Sequence, residues 1–311
     1  MESLMTLEEV LSSVNGILIG NREKICFTSV ETDSRNVVKG TLFIPLIGEF
    51  QDGHKYVPSA LEKGASLVFI NNSEYEKNSQ FYCDLSEEFE VAIVCVEHTL
   101  YALQNLAESY VEKFSNLKKI CVTGSCGKTT TKEILVSIFK SVYGDSVVYT
   151  KGNFNSETGL PLSVFQIRNN HKIGIFEMGM NRENEIGEIS KVLKAQYGII
   201  SNIGTAHIGI LGSREKIAEE KRKAFNYISK DGAAFVYCAD DYADYCLENV
   251  IGKKIKYGTE DFIQSINPVD KGVNGTSFCL DGVTIDLPLS GKYNFINALG
   301  AIYVAREFGI T

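Results

Sequence analysis

The stretch Ile120-Cys121-Val122-Thr123-Gly124-Ser125-Cys126-Gly127-Lys128-Thr129-Thr130-Thr131-Lys132-Glu133 decides how the rest of the chain is read. A short apolar run enters a glycine-containing loop, and Ile134, Leu135, Ile138, Phe139 and Val142 then recur at helical spacing. Strand, loop and helix in that order make a phosphate cradle. Glycines let backbone N–H groups point inward, the helix N-terminus adds partial positive charge, and Lys128 supplies a full one. The same geometry puts the Thr129 hydroxyl on a magnesium ion. The general G-x-x-x-x-G-K-[ST] pattern is incomplete, because Val122 stands where its first glycine falls. The variant present is T-G-x-x-G-K-T-T, and the strand before it and helix after it keep nucleotide phosphate as the reading.

On either side of this loop, strand and helix signals alternate, which is how a sheet with crossover helices reads in sequence. Lys119–Thr123, Ile173–Glu177, Tyr197–Asn202 and Ala233–Tyr237 are the expected strands. Asp281-Gly282, between two strand-like runs, signals a hairpin, because both central residues of a type I′ turn need positive φ. Residues 1–115 form a smaller α/β unit, with strand-like runs at Thr41–Leu46 and Ser66–Ile70 and a closing helix over Leu100–Phe114. The polar step Ser115-Asn116 is the expected hinge, so the central unit covers 116–311. The fold class is α/β: a small N-terminal unit, then a P-loop unit whose mostly parallel sheet is flanked by helices.

With 311 residues, 44% hydrophobic and 23% charged, the chain has the balance of a folded protein rather than a disordered one. Against 39 Asp and Glu stand 31 Lys and Arg, a net charge of −8 that disfavours nonspecific binding to nucleic acid or anionic membrane. No run approaches the roughly 18 apolar residues needed to span a bilayer. The acidic start Met1–Glu9 reads as an amphipathic helix rather than a secretory signal. Eight scattered cysteines, without a C-x-x-C pair, read as buried free thiols of a cytoplasmic protein.

Further segments repeat an order found elsewhere. Glu177-Met178-Gly179 is followed by Gly187-Glu188-Ile189; then come Asn202-Ile203-Gly204-Thr205-Ala206-His207, Leu211-Gly212-Ser213 and Lys221; then Gly291-Lys292-Tyr293-Asn294-Phe295-Ile296-Asn297-Ala298. The first unit carries Asp33-Ser34-Arg35, Gly40-Thr41-Leu42-Phe43 and Asp52-Gly53-His54. Together with the phosphate loop, this set resembles the Mur ligase family, ATP-dependent amide ligases of cell-wall precursor synthesis. The E-M-G and A-H segments are similar to those of the branch that joins D-alanyl-D-alanine to UDP-N-acetylmuramoyl-tripeptide. The resemblance covers nearly the whole chain.

The resemblance implies a reaction in which ATP phosphorylates the tripeptide's terminal carboxylate and the dipeptide amine displaces the phosphate. It implies nucleotide contacts from Thr123, Gly124, Ser125, Cys126, Gly127, Lys128, Thr129 and Thr130, with Asn294 and Asn297 at the adenine. Lys128, Glu177, His207 and Lys221 are the implied catalytic set. Thr129 and Glu177 would hold the Mg²⁺ that accompanies ATP, and Glu177 and His207 a second one. Lys221 aligns with a lysine the family carbamylates, which would give it oxygen ligands for metal. Ser34, Arg35, Asp52, Gly53 and His54 fall at the UDP-sugar end of the substrate, and Asn153, Asn155 and Ser156 in a loop beside it. Ser156 replaces an asparagine usual in the branch, and Ile47 a basic residue.

Each residue alone has a plainer reading. A glutamate after a strand is usually a solvated strand end, and Lys221 in a charged run is usually an exposed helix face. Order and spacing behind the loop favour function over these. Family members carry a third, C-terminal domain; here the last expected helix, with Ile296, Leu299, Ile302, Tyr303 and Phe308 as its apolar face, stops at Gly309. The expectation is therefore a two-domain, monomeric chain that binds UDP-substrate and ATP but turns over poorly by itself. The alternatives are the preceding ligase, which adds diaminopimelate or lysine, and a noncatalytic UDP-sugar or nucleotide-binding protein. No N-K-x-D guanine motif supports a GTPase.

Overall fold

The structure is a computed structural model that describes residues 3–20 and 26–310. The chain divides into two compact units, Met1–Ser115 with Val164–Gln166, and Asn116–Ser163 with Ile167–Thr311.

The first unit holds five strands, β1 (Ile17–Ile19), β2 (Ser29–Glu31), β3 (Thr41–Phe43), β4 (Ala65–Asn71) and β5 (Ala92–Val96). Their order is β1-β5-β4-β3-β2, parallel except for the antiparallel β1 edge. β5 is buried along its whole length, which is why Ala92-Ile93-Val94-Cys95-Val96 reads as an unbroken apolar run. The N-terminal helix is Leu7–Val14, later than expected. It starts where Thr6 and Glu9 form a reciprocal capping box, and Leu4 and Met5 are buried in the bend before it. Met1 and Glu2 of the expected helix lie outside the described residues. The closing helix, Thr99–Glu112, buries Leu103, Leu106, Ala107, Tyr110 and Val111, as its spacing predicts.

The second unit is built on β6 (Lys118–Thr123), β7 (Val147–Tyr149), β8 (Ile173–Glu177), β9 (Tyr197–Ile200), β10 (Ala233–Tyr237) and β11 (Lys253–Tyr257), all parallel, in the order β11-β10-β9-β6-β8-β7. The chain lays down β6, fills one side with β7 and β8, then crosses to β9 on the other. The switch therefore falls at β6, and the crevice at its carboxyl end is where such sheets bind ligands. The loop helix, Lys128–Tyr143, packs Leu135 and Phe139 against the last helix, Lys292–Glu307, and Phe139 meets Phe308 edge-on at 5.0 Å. Val142, expected on the buried face, is 55% exposed and Val136 is buried instead. Val142 lies in the last turn of the helix, which ends at Tyr143, beyond the buried stripe that closes at Phe139.

A three-stranded antiparallel sheet, β12 (Val269–Asp270), β13 (Thr276–Leu280) and β14 (Val283–Leu287), completes the unit. Its hairpin turns at Asp281 and Gly282 with φ of 51° and 79°, both positive as a type I′ turn requires. Among the described residues no helix is long and apolar enough to cross a membrane. None of the eight cysteines is in a disulfide, and Cys26, Cys126 and Cys279 are exposed, so the expectation of uniformly buried thiols is corrected.

Candidate active site

The phosphate loop owes its shape to two glycines. A Cβ on Gly124 (φ +149°) would lie 2.0 Å from the Ser201 hydroxyl, and one on Gly127 (φ +80°) 2.5 Å from the Asn297 amide. The segment after β9 pins the loop from one side. Asn202 accepts the Ser125 N–H on its carbonyl (3.0 Å) and the Cys126 N–H on Oδ1 (3.0 Å), while its own amide donates to the Cys126 carbonyl (3.2 Å). Ser201 donates to that same carbonyl, and Ser125 Oγ accepts the Gly204 N–H at 2.9 Å.

These bonds engage part of the expected nucleotide set within the protein. The backbone N–H groups of Ser125 and Cys126 are spent on Asn202, and the Thr123 hydroxyl donates to the Met178 carbonyl at 2.9 Å, tying β6 to β8. What remains for an anion is the start of the loop helix. It is capped by Gly127 without any side-chain bond, so its first N–H groups point out of the helix unpaired. Lys128 arches back over this loop, donating to the carbonyls of Gly124 (3.0 Å) and Ser125 (3.5 Å).

Glu177 ends β8 beside the loop, in register with Val122, and is 2% exposed. Its Oε1 accepts from Asn155 Nδ2 (2.7 Å) and the Thr129 hydroxyl (3.2 Å), and its N–H donates to Thr150 Oγ1 at 3.0 Å. Oε2 accepts no hydrogen bond, although it is buried. The Lys132 ammonium stands 4.0 Å away, too far to donate, so the oxygen's lone pairs stay open to a cation. Among the described residues no three His, Cys, Asp or Glu side chains converge on one point. One carboxylate and one hydroxyl are nevertheless the sparse protein share that fits Mg²⁺, which keeps waters and takes phosphate oxygens for the remainder.

Lys221 lies near the end of the helix Arg214–Arg222 and is fully buried, with no partner for Nζ. Burial first, and repulsion from Lys128 second, push its amine down to about 7. Its neighbour Glu220 fixes the helix by accepting the N–H groups of Asn184 (3.0 Å) and Ile186 (2.9 Å) at the start of the helix Glu185–Leu193. His207 has φ +68°, and burial together with Lys221 and Lys128 holds its imidazole below the ordinary range, with Glu185 opposing. Lys128 acts electrostatically on both His207 and Lys221, and Glu177 meets the same loop helix through Thr129.

Beside the loop a cavity is lined by Ser201, Asn202, Tyr237, Tyr293, Ile296 and Asn297. Asn297 belongs to it, whereas Asn294 turns away and donates to the Ser290 carbonyl at 2.9 Å. In the neighbouring loop Asn155 reaches Glu177, Asn153 is exposed, and Ser156 accepts the Gly159 N–H at 3.2 Å, capping the short helix Gly159–Val164. The serine at this position serves the loop itself. Asn202, Ser201, Thr150 and Lys132 were not singled out from sequence; the N-x-G stretch carrying Asn202 was the available signal.

In the first unit a separate cavity is lined by Thr32, Asp33, Ser34, Arg35, Gln51 and Gly53. Arg35 is 84% exposed and pairs with Asp33 at 2.6 Å. His54, expected at the substrate, is buried, with Nδ1 on Asp52 Oδ1 (2.6 Å) and Nε2 accepting the Asn71 N–H (3.0 Å). Both ring nitrogens are occupied, so His54 shapes the turn that carries Gly53.

These two sites sit in sequences of one class. Residues 122–305 match the Mur ligase middle domain and residues 27–111 the Mur ligase family catalytic domain, and the chain belongs to the Mur ligase family. Within it, the UDP-N-acetylmuramoyl-tripeptide--D-alanyl-D-alanine ligase of Treponema pallidum is 40% identical over 309 residues, covering 99% of this chain and 66% of that protein. The Bacillus subtilis ligase of the same name is 35% identical, covering 98% and 64%. MurF from Acinetobacter baumannii superposes with a TM-score of 0.83 at 27% identity, over 98% of this chain and 65% of that one. MurF ligase from Thermotoga maritima, solved in complex with ADP, gives 0.68 at 27% identity, over 91% and 64%. The chain spans 64–66% of the length of these proteins.

Proposed function

We propose that this chain provides the UDP-substrate and ATP sites of a ligase that joins D-alanyl-D-alanine to UDP-N-acetylmuramoyl-tripeptide. The observation that carries this reading is the pair of buried atoms without a hydrogen-bond partner, Glu177 Oε2 and Lys221 Nζ, beside a phosphate-loop helix with no side-chain cap. The names borne by the most similar relatives supply the substrates.

In the proposed reaction a carboxylate oxygen of the tripeptide bonds to the γ-phosphorus of ATP as the bond to ADP breaks. The dipeptide amine then bonds to the acyl carbon, loses a proton and expels inorganic phosphate. Two anions must be aligned despite their repulsion, so the site's task is positioning and charge compensation. Lys128 exchanges its loop carbonyls for the β- and γ-phosphate oxygens, and the loop-helix N–H groups take the rest. Mg²⁺, when bound with the nucleotide, supplies further neutralisation of the phosphates. Thr129 and Glu177 would hold it, with Asn155 keeping the carboxylate turned. His207 is the second candidate ligand.

Lys221 as a bare ammonium would repel that metal. An amine titrating near 7 is largely uncharged at pH 8 and can add CO₂, losing a proton and becoming a carbamate with oxygens to offer. Saturable binding of Mg-ATP and of UDP-N-acetylmuramoyl-tripeptide to the 311-residue chain, measured by calorimetry, is the expected result. Phosphate release assays then compare D-alanyl-D-alanine with diaminopimelate or lysine on the dipeptide precursor. Binding of neither ligand, or release driven by the latter pair, overturns the reading.

A further inference from the structure

Lys132 lies three residues beyond Thr129 on the loop helix and is 1% exposed, a costly place for an ammonium. Its Nζ donates to the Thr150 carbonyl (3.0 Å), pairs with Glu133 Oε1 (2.7 Å) and stands 4.0 Å from Glu177 Oε2. Thr150 is itself buried at the end of β7. It donates its N–H to the Ile175 carbonyl (3.0 Å) and accepts the Glu177 N–H on its hydroxyl (3.0 Å). Lys132 therefore meets Glu177 twice, through space at the carboxylate and through Thr150 at the backbone. The separation from Oε2 is beyond hydrogen-bond reach, so the oxygen is charge-compensated yet keeps its lone pairs free.

We propose that Lys132 is a positioning residue for Glu177, holding the carboxylate with Oε2 presented to the divalent cation that accompanies the nucleotide. The inference rests on the reading that Glu177 receives that cation. Two physical effects give opposite signs on removing Lys132. Coulomb repulsion alone makes its loss tighten metal binding, because a cation near the site disappears. Loss of orientation loosens it, and outer partners of metal ligands are typically worth roughly 10- to 100-fold in affinity. The double attachment through Thr150 favours the second.

The test titrates Mn²⁺, followed by electron paramagnetic resonance, into the whole chain saturated with a non-hydrolysable ATP analogue. Lys132→Met is expected to weaken Mn²⁺ roughly 10-fold or more, with affinity for the analogue in EDTA held within about 2-fold. Lys132→Arg, which keeps the charge, recovers most of the loss, and Glu133→Gln, which alters only the exposed partner, leaves it unchanged. Unchanged or tighter Mn²⁺ binding by folded Lys132→Met overturns the inference; should that variant not fold, wild-type affinity in Lys132→Gln does the same. Glu177→Gln separates the two levels. If it retains Mn²⁺ affinity, the metal role of Glu177 and this inference fall together; if it loses affinity while Lys132→Met does not, only the inference falls.

Discussion

The cavity of the N-terminal unit and the crevice of the central unit are satisfied in opposite ways. In the former, Asp33 meets Arg35 and Asp52 meets His54, whose other nitrogen takes a backbone N–H, so the polar groups answer one another. In the latter, Glu177 Oε2 and Lys221 Nζ are buried and answered by no hydrogen bond. Burying a polar atom without a partner costs about 1–3 kcal/mol, and more for a charged group. A fold that retains two such atoms beside one loop gives up stability there, and on the proposed reading their partners arrive with the bound ligands. The N-terminal cavity reads as a preformed binding surface; the crevice reads as a site completed by what it binds.

That contrast predicts opposite signs for two substitutions. His54→Ala removes a buried ring and two hydrogen bonds, leaving the Asn71 N–H without an acceptor, and is expected to cost about 2–4 kcal/mol in urea unfolding. A loss under about 0.5 kcal/mol would mean that the ring does not hold the turn. Lys221→Met replaces an unpartnered amine by an apolar chain of similar length and is expected to stabilise by about 1–3 kcal/mol while removing activity. Destabilisation of the Met variant would show that the amine has a structural partner.

Smaller effects sharpen the same picture at the surface. Thr6→Ala breaks the capping box of Leu7–Val14 and is expected to cost about 1 kcal/mol. Glu9 in that box is held below its usual range, chiefly by Lys113. Because its folded value is lowered, its contribution is present above the ordinary glutamate range and fades as pH falls through the lowered one. Lys113→Met, which removes the chief cause, should then flatten the pH profile of stability in that acid range. Arg35→Ala, at an exposed side chain, should leave stability within about 0.5 kcal/mol and weaken binding of the UDP-substrate. Unaltered substrate affinity would take Arg35 out of the cavity's recognition set.

Much of the central sheet was legible because its inner strands are buried on both faces. Ile173–Glu177 and Ala233–Tyr237 coincide with the observed β8 and β10. The two strands not foreseen, Val147–Tyr149 and Lys253–Tyr257, are its edges; one is short, and the other carries three lysines over five residues, the usual guard on an exposed edge. The loop's existence and its lysine were equally legible. Its internal wiring was not, because whether an N–H faces a ligand or Asn202 depends on a segment more than 70 residues away in the chain. The resemblance likewise placed Thr123, Ser156 and His54 at ligand, and here Thr123 meets the distant Met178 carbonyl, Ser156 the nearby Gly159 N–H, and His54 both Asp52 and the Asn71 N–H.

The account's central claim is that the phosphate-loop helix and Lys128, rather than the acidic chain's overall field, bind the nucleotide. Calorimetric titration of Mg-ATP into wild-type and Lys128→Ala tests it most directly. The expected result is saturable binding by the wild type and a loss of at least about two orders of magnitude in the variant, roughly 2.7 kcal/mol, with an unchanged unfolding midpoint. Equal affinity in the two proteins would contradict it.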